Sequence, residues 1–294
     1  MDSNITAEKV KKERKKRAWE LDFLRGLSIL LVAMDHTFYD MAHLFGWGWK
    51  DSGVTALEKA QAFSLGYLQS ALRFFWWPIF IFIFFCVSGI CTAFSRNNLW
   101  RGIKLSIVAL ALSGATYLLD TSGVAEGSTI VFGVIHCIAV CIIVYAFIEV
   151  AVNFFAKNKN VKKYIKAGIS FAIALTVLIL NAVYNVNYRN VSVSAEYVVT
   201  SHFLGGLFVY TRDFWLISSD YFPLLPHLGF FMFGAGLSAI IYPNKKSLLP
   251  SLDRAWHLPV TIPGRFSLIV YVGSQIAVIG ILVIVNYAYL GYWF

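Results

Sequence analysis

Long apolar runs separated by short polar or basic breaks dominate the chain. A hydrocarbon core about 30 Å thick requires roughly 20 apolar residues per helix. Seven runs approach that length: 21–43, 72–94, 103–119, 129–154, 167–184, 222–242 and 267–290. A weaker apolar stretch at 203–217 reads as a re-entrant or interfacial segment. The expected fold class is therefore an all-α polytopic membrane protein, a bundle of about seven transmembrane helices. No internal repeat of 20 to 50 residues interrupts it, so residues 21–294 read as one transmembrane domain behind a basic N-terminal segment, 1–20.

Composition agrees, with 58% hydrophobic and only 14% charged residues. The net charge of +9 would suit a nucleic-acid partner only if it were spread over one surface. Instead it is concentrated in alternate loops. With the N-terminus in the cytoplasm, 19 Lys and Arg fall on the inner side, at 9–17, 96–104, 157–166 and 245–265. Five fall outside: Lys50, Lys59, Arg73, Arg189 and Arg212. This bias predicts a multi-pass cell-membrane protein with its N-terminus inside and, after seven spans, its C-terminus outside. It gives no reason to expect nucleic acid as a partner; the basic tract 9–17 reads as an anchor beside anionic lipid headgroups. That tract and the run after it do not read as a cleaved signal, because the run is long and carries Asp22, Arg25, Asp35 and His36.

Cys86, Cys91, Cys137 and Cys141 all lie in apolar runs, which predicts core thiols rather than a disulfide framework. Cys137 and Cys141 stand one helical turn apart, but two soft ligands without a further partner make a poor metal site, and no metal is expected. The outer segments 43–71 and 185–221 are rich in Trp and Tyr, including Trp47, Trp49, Tyr67, Tyr197, Tyr210, Trp215 and Tyr221. Such side chains suit an interfacial belt, and they also suit stacking on a sugar ring.

Ionisable groups inside a membrane helix are costly and mark functional positions. The first run has Asp22, Arg25, Asp35 and His36, with Asp40 and His43 just beyond. At about 100° per residue, Arg25 and His36 lie within roughly 20° of each other around the helix and about 16 Å apart along it. Asp22 shares that face as an i,i+3 partner for Arg25. An imidazole at His36 can take a proton from an attacking hydroxyl or amine. Asp40, at i+4, lies nearly in line as its carboxylate partner, while Asp35 points to the side. Buried Asp, Arg and His side chains also build ion and proton paths, so an ion- or proton-coupled small-molecule transporter is the competing function.

Arg25, ten residues, then His36 resembles the arginine-x10-histidine signature of the acyltransferase 3 family. The wider pattern is closer to the bacterial relatives of heparan-α-glucosaminide N-acetyltransferase. Five segments carry this: Glu-Leu-Asp-Phe-Leu-Arg-Gly (20–26), Val-Ser-Gly-Ile (87–90) with Phe-Ser-Arg-Asn-Asn-Leu-Trp-Arg-Gly (94–102), Phe-Gly-Val-Ile-His (132–136), Asp-Tyr-Phe-Pro-Leu-Leu-Pro (220–226) and Pro-Gly-Arg-Phe-Ser-Leu (263–268). The resemblance implies a membrane acetyltransferase that moves an acetyl group from cytoplasmic acetyl-CoA to an amino or hydroxyl group of an extracytoplasmic sugar or glycan.

On this resemblance His36 is the general base or transient acyl carrier, with Asp35, Asp40 and His136 as its catalytic company. Arg25, Ser95, Arg96, Asn97, Arg101 and Arg265 are the expected donor-binding residues. Independently, the several phosphates of CoA call for cations at the cytoplasmic surface, which Arg96, Arg101 and Lys104 supply. A homodimer is left open. Relatives often carry histidine where this chain has Phe266 and Ser274, and tryptophan where it has His227.

Overall fold

A computed structural model describes residues 18–123, 127–188, 203–210 and 217–292. The basic segment 1–17, and Arg189, Tyr197, Arg212 and Trp215 of the second outer segment, lie outside the described residues. The described chain is helical, and its β structure is a single bridge between Phe132 and Tyr221. Helix α1 covers Trp19–Tyr39 and runs on through a π-turn, Asp40–Leu44. Short α2 (Gly46–Trp49) and α3 (Thr55–Leu68) follow. The long helices are α4 (Ala71–Ile90), α5 (Asn98–Thr121), α6 (Val134–Phe155) and α7 (Lys159–Tyr188). After α8 (Phe203–Phe208) come α9 (Leu224–Ile241), α10 (Leu258–Arg265) and α11 (Ser267–Leu290).

Six helices, α4, α5, α6, α7, α9 and α11, are long and apolar enough to cross a membrane. They account for six of the seven expected runs. The seventh, α1, forms a 21-residue helix beginning at Trp19, but it falls outside that class because Glu20, Asp22, Arg25 and Asp35 interrupt its apolar surface. It lies against α4 along most of its length: Asp35 meets Arg73 near the start of α4, and Arg25 meets Cys91 just past its end. The weak run at 203–217 holds only the two-turn α8 among its described residues.

Two helix crossings bring backbone against backbone. A Cβ on Gly26 of α1 would collide with the carbonyl oxygen of Val260 in α10, and one on Gly264 would collide with that of Asp22. Gly89 of α4 and Gly234 of α9 stand in the same relation to Phe231 and Cys86. Small residues allow such approach where no hydrophobic force drives helices together in lipid. The core fills the space between these helices and α6, around Phe85, Cys137, Cys141, Ile142, Phe231 and Met232. All four cysteines are free, three buried and Cys91 partly so.

The start of α1 is fastened to the segment before α10. Buried Glu20 accepts hydrogen bonds from Tyr242 Oη (3.0 Å), Ser247 Oγ (2.8 Å) and the Leu248 amide (2.8 Å). The Trp19 indole donates to the Leu249 carbonyl and stacks on His257, with ring centres 4.2 Å apart. By contrast α11 packs against α1 and α10, and α5 chiefly against α6; these two make no extended contact with each other. They flank the space in which the candidate site lies.

Candidate functional site

A cavity of about 630 Å³ opens at the basic end of the bundle. Its size is within the range of small-molecule sites, roughly 300–1,000 Å³. Its polar end is built by Arg25 from α1, by Ser95, Arg96 and Asn97 from the turn after α4, and by Arg101 and Lys104 from the first turns of α5. That turn is short because α4 tightens into a 3₁₀ turn, Cys91–Phe94, before Asn97 caps α5 by accepting the Trp100 amide at 2.9 Å. Arg25 donates to Cys91 Sγ at 3.0 Å, and Lys104 lies over the Trp100 ring. Four cations thus line one mouth. Deeper in, the lining turns apolar through Leu105, Val108, Ile135 and Ile138 and ends at Phe84, Val134 and Tyr271.

Those last three residues also wall a second, much smaller cavity of about 10 Å³, completed by Ile29, Val32, His36, Ile81, Asp220 and Phe222. These three side chains stand between the two spaces. His36 Nδ1 lies 3.2 Å from Gln275 Oε1, and Gln275 Nε2 donates to Asp40 Oδ2 at 2.7 Å. An ionised carboxylate only accepts, so it holds the amide nitrogen of Gln275 toward Asp40 and the amide oxygen toward the imidazole. His36 Nδ1 must then carry the proton, which leaves Nε2 with a free lone pair. The ring also meets Tyr271 edge-on, with centres 5.9 Å apart. Tyr271 donates to Asp220 Oδ2 at 2.8 Å, and the same oxygen accepts the Val134 amide at 3.0 Å, placing a carboxylate at the positive start of α6.

Of the ten residues singled out in the sequence, five line the large cavity: Arg25, Ser95, Arg96, Asn97 and Arg101. His36 lines the small one, and Asp40 reaches it through Gln275. The other three line neither cavity. Asp35 is held in a two-pronged ion pair by Arg73, at 2.6 and 2.9 Å, and accepts from Tyr67. His136 spends one ring nitrogen on the start of α6 and the other on α5: Nδ1 accepts the Gly133 amide, and Nε2 lies 3.0 Å from Ser113 Oγ. Ser113 donates its one proton to the Ile130 carbonyl, so His136 Nε2 is the donor in that pair. Arg265 lies 3.4 Å from Asp22, outside the lining.

Tyr271, Gln275 and Asp220 were not among those ten. Gln275 had a legible signal, as an amide inside an apolar run of α11. Asp220 and Tyr271 join only through packing between segments 51 residues apart. Of the outer aromatics, Trp49 is buried with its indole donating to Asn286, while Trp47 is exposed. Among the described residues no group of three or more His, Cys, Asp or Glu side chains is placed to hold a metal ion.

The family model described as Heparan-alpha-glucosaminide N-acetyltransferase, catalytic, matches residues 52–276, beginning after Arg25 and His36. No curated protein and no solved structure matches the chain. The match covers more than two-thirds of the sequence, and the chain therefore belongs to the heparan-alpha-glucosaminide N-acetyltransferase catalytic family, as a membrane acetyltransferase.

Proposed function

We propose that the protein takes an acetyl group from acetyl-CoA on the cytoplasmic side and transfers it to an amino or hydroxyl group of an extracytoplasmic sugar or glycan. One observation carries this reading: the cation-lined cavity and the His36 cavity share Phe84, Val134 and Tyr271 as a common wall. A donor with several phosphates fits the mouth at Arg25, Arg96, Arg101 and Lys104, where charge-assisted hydrogen bonds are strong. Its narrow pantetheine arm then follows the apolar lining inward, bringing the thioester beside His36.

There the acceptor's nitrogen or oxygen attacks the thioester carbonyl carbon while His36 Nε2 takes its proton. The new C–N or C–O bond forms, the C–S bond breaks, and the departing thiolate recovers the proton from the imidazolium to leave as CoA. Gln275 and Asp40 keep the other ring nitrogen protonated throughout. Ser95 and Asn97 supply polar groups at the mouth, and Arg265 acts beside it through Asp22. The excess of basic residues at the mouth end supports placing that end in the cytoplasm.

The test is acetyl transfer by purified protein in vesicles, with labelled acetyl-CoA and a panel of amino and neutral sugars. Label on a sugar is the expected result, together with CoA binding that weakens in the order CoA, desphospho-CoA, pantetheine. No labelled sugar, with acetyl-CoA bound no better than pantetheine, would overturn the reading. For orientation, a cysteine at exposed Lys246 should react with reagent on the cytoplasmic side only; labelling from outside would reverse the topology.

A further inference from the structure

The thioester carbonyl can meet a nucleophile activated by His36 only if the acyl tail lies beside the imidazole. The space there is about 10 Å³. A cavity of that size holds a single group about as large as a water molecule or a methyl. Apart from the three residues shared with the large cavity, and from His36 and Asp220, its lining is apolar: Ile29 and Val32 of α1, Ile81 of α4, and Phe222. We infer that these four side chains restrict the transferred acyl group to two carbons, with Val32 and Ile81 as specificity-determining residues; this rests on the function proposed above.

The wall cannot easily give way. Ile29 is 1% exposed and Ile81 4%. Phe222 is wedged between Trp77 and Phe85, at 6.2 Å from each ring centre, and faces His227 at 5.0 Å. The helices behind it are fixed by backbone contact, α1 to α10 at Gly26 and Gly264, and α4 to α9 at Gly89 and Gly234. One more methylene would have to displace a helix or force a strained rotamer. The large cavity differs, since little of one of its walls, α11, is buried inside the protein. Selection for the acyl end and tolerance at the pantetheine end follow from that contrast.

The experiment compares acetyl-, propionyl- and butyryl-CoA as donors. In the wild-type protein kcat/KM should fall at least ~10-fold for each added methylene. Ile81→Ala and Val32→Ala should each raise the propionyl-to-acetyl ratio ~10-fold or more, whereas Val32→Leu should fill the space and cut acetyl transfer by a similar factor with CoA affinity unchanged. A wild type that uses butyryl-CoA as well as acetyl-CoA would refute the inference, as would folded variants with an unchanged ratio. If both alanine variants fail to fold, Val32→Leu decides alone: undiminished acetyl transfer in the folded protein refutes it. Equilibrium binding of the same thioesters separates this from the function itself. Graded affinity without any transfer removes the transferase reading and keeps the subsite, while equal affinity for acetyl- and butyryl-CoA removes the subsite.

Discussion

Asp35 and His36 are neighbours in the chain, yet they enter two different kinds of polar cluster. Asp35 points toward α3 and α4, where Arg73 grips both carboxylate oxygens, Tyr67 donates to one of them, and the guanidinium lies over the Trp77 ring. Every charge in that cluster has a partner inside it. His36 points toward α11, into a chain that runs from Asp40 through Gln275 to Nδ1 and then stops. The ring itself lines a cavity. A closed cluster joins helices together, whereas a cluster with one free end can exchange a proton with something that arrives. The 100° step between adjacent helical residues separates the two roles.

The sharpest way to break the comparison is at His36. Replacement by alanine should slow acetyl transfer at least ~100-fold while leaving donor binding and melting temperature near wild type, because its polar side-chain contact is one 3.2 Å hydrogen bond. Near-normal turnover would remove His36 from catalysis. Asp35→Ala should do the reverse. Breaking a buried ion pair is strongly destabilising, and since Arg73 retains 27% exposure the loss should be about 2 kcal/mol, read as a lower melting temperature with kcat/KM largely kept in the folded fraction. A loss of kcat without a loss of stability would place Asp35 in the chemistry instead.

A smaller effect is expected at Gln275. Gln275→Leu should lower kcat ~10-fold with little change in KM for the donor, by freeing the imidazole to protonate the wrong nitrogen. Gln275→Glu, which still accepts from Nδ1, should recover part of that loss; equal damage in both variants would point to packing rather than proton placement. At the mouth, Arg101→Ala should weaken CoA binding ~10-fold through one lost charge-assisted contact. Arg265→Ala, outside the lining and paired with Asp22, should change it less than ~3-fold. The opposite ranking of these two arginines would move the donor site toward α10.

Run length and charge bias made the bundle legible in advance, because lipid demands whole apolar helices and the polar breaks between them are unambiguous. Helix α1 was the hard case. Its charged groups mark it as chemically important and, for the same reason, remove it from the simple apolar class. The polar end of the large cavity was readable because Ser95, Arg96, Asn97 and Arg101 fall within one short stretch that the local turn folds together. The surroundings of His36 were not. Gln275 lies 239 residues away, and its orientation depends on Asp40. His136 resembled a catalytic residue by its type and motif; its local partner is the Gly133 amide, and its partner Ser113 became visible only once α5 and α6 were packed together.

The backbone lock at Gly26 gives α1 a fixed origin from which position along the helix is counted. His36 is ten residues beyond that point, about 15 Å of rise, and no loop intervenes to absorb an error. A single residue inserted between Gly26 and Asp35 would leave the crossing in place while advancing everything beyond it by one step, about 1.5 Å and 100°. The carboxylate of Asp35 would then occupy the station of the imidazole, and the imidazole would turn away from the cavity. On the function proposed above, the chemistry is thus written in the phase of one helix relative to one glycine, so that its reading frame in space is as unforgiving of an insertion as the frame in which it is encoded.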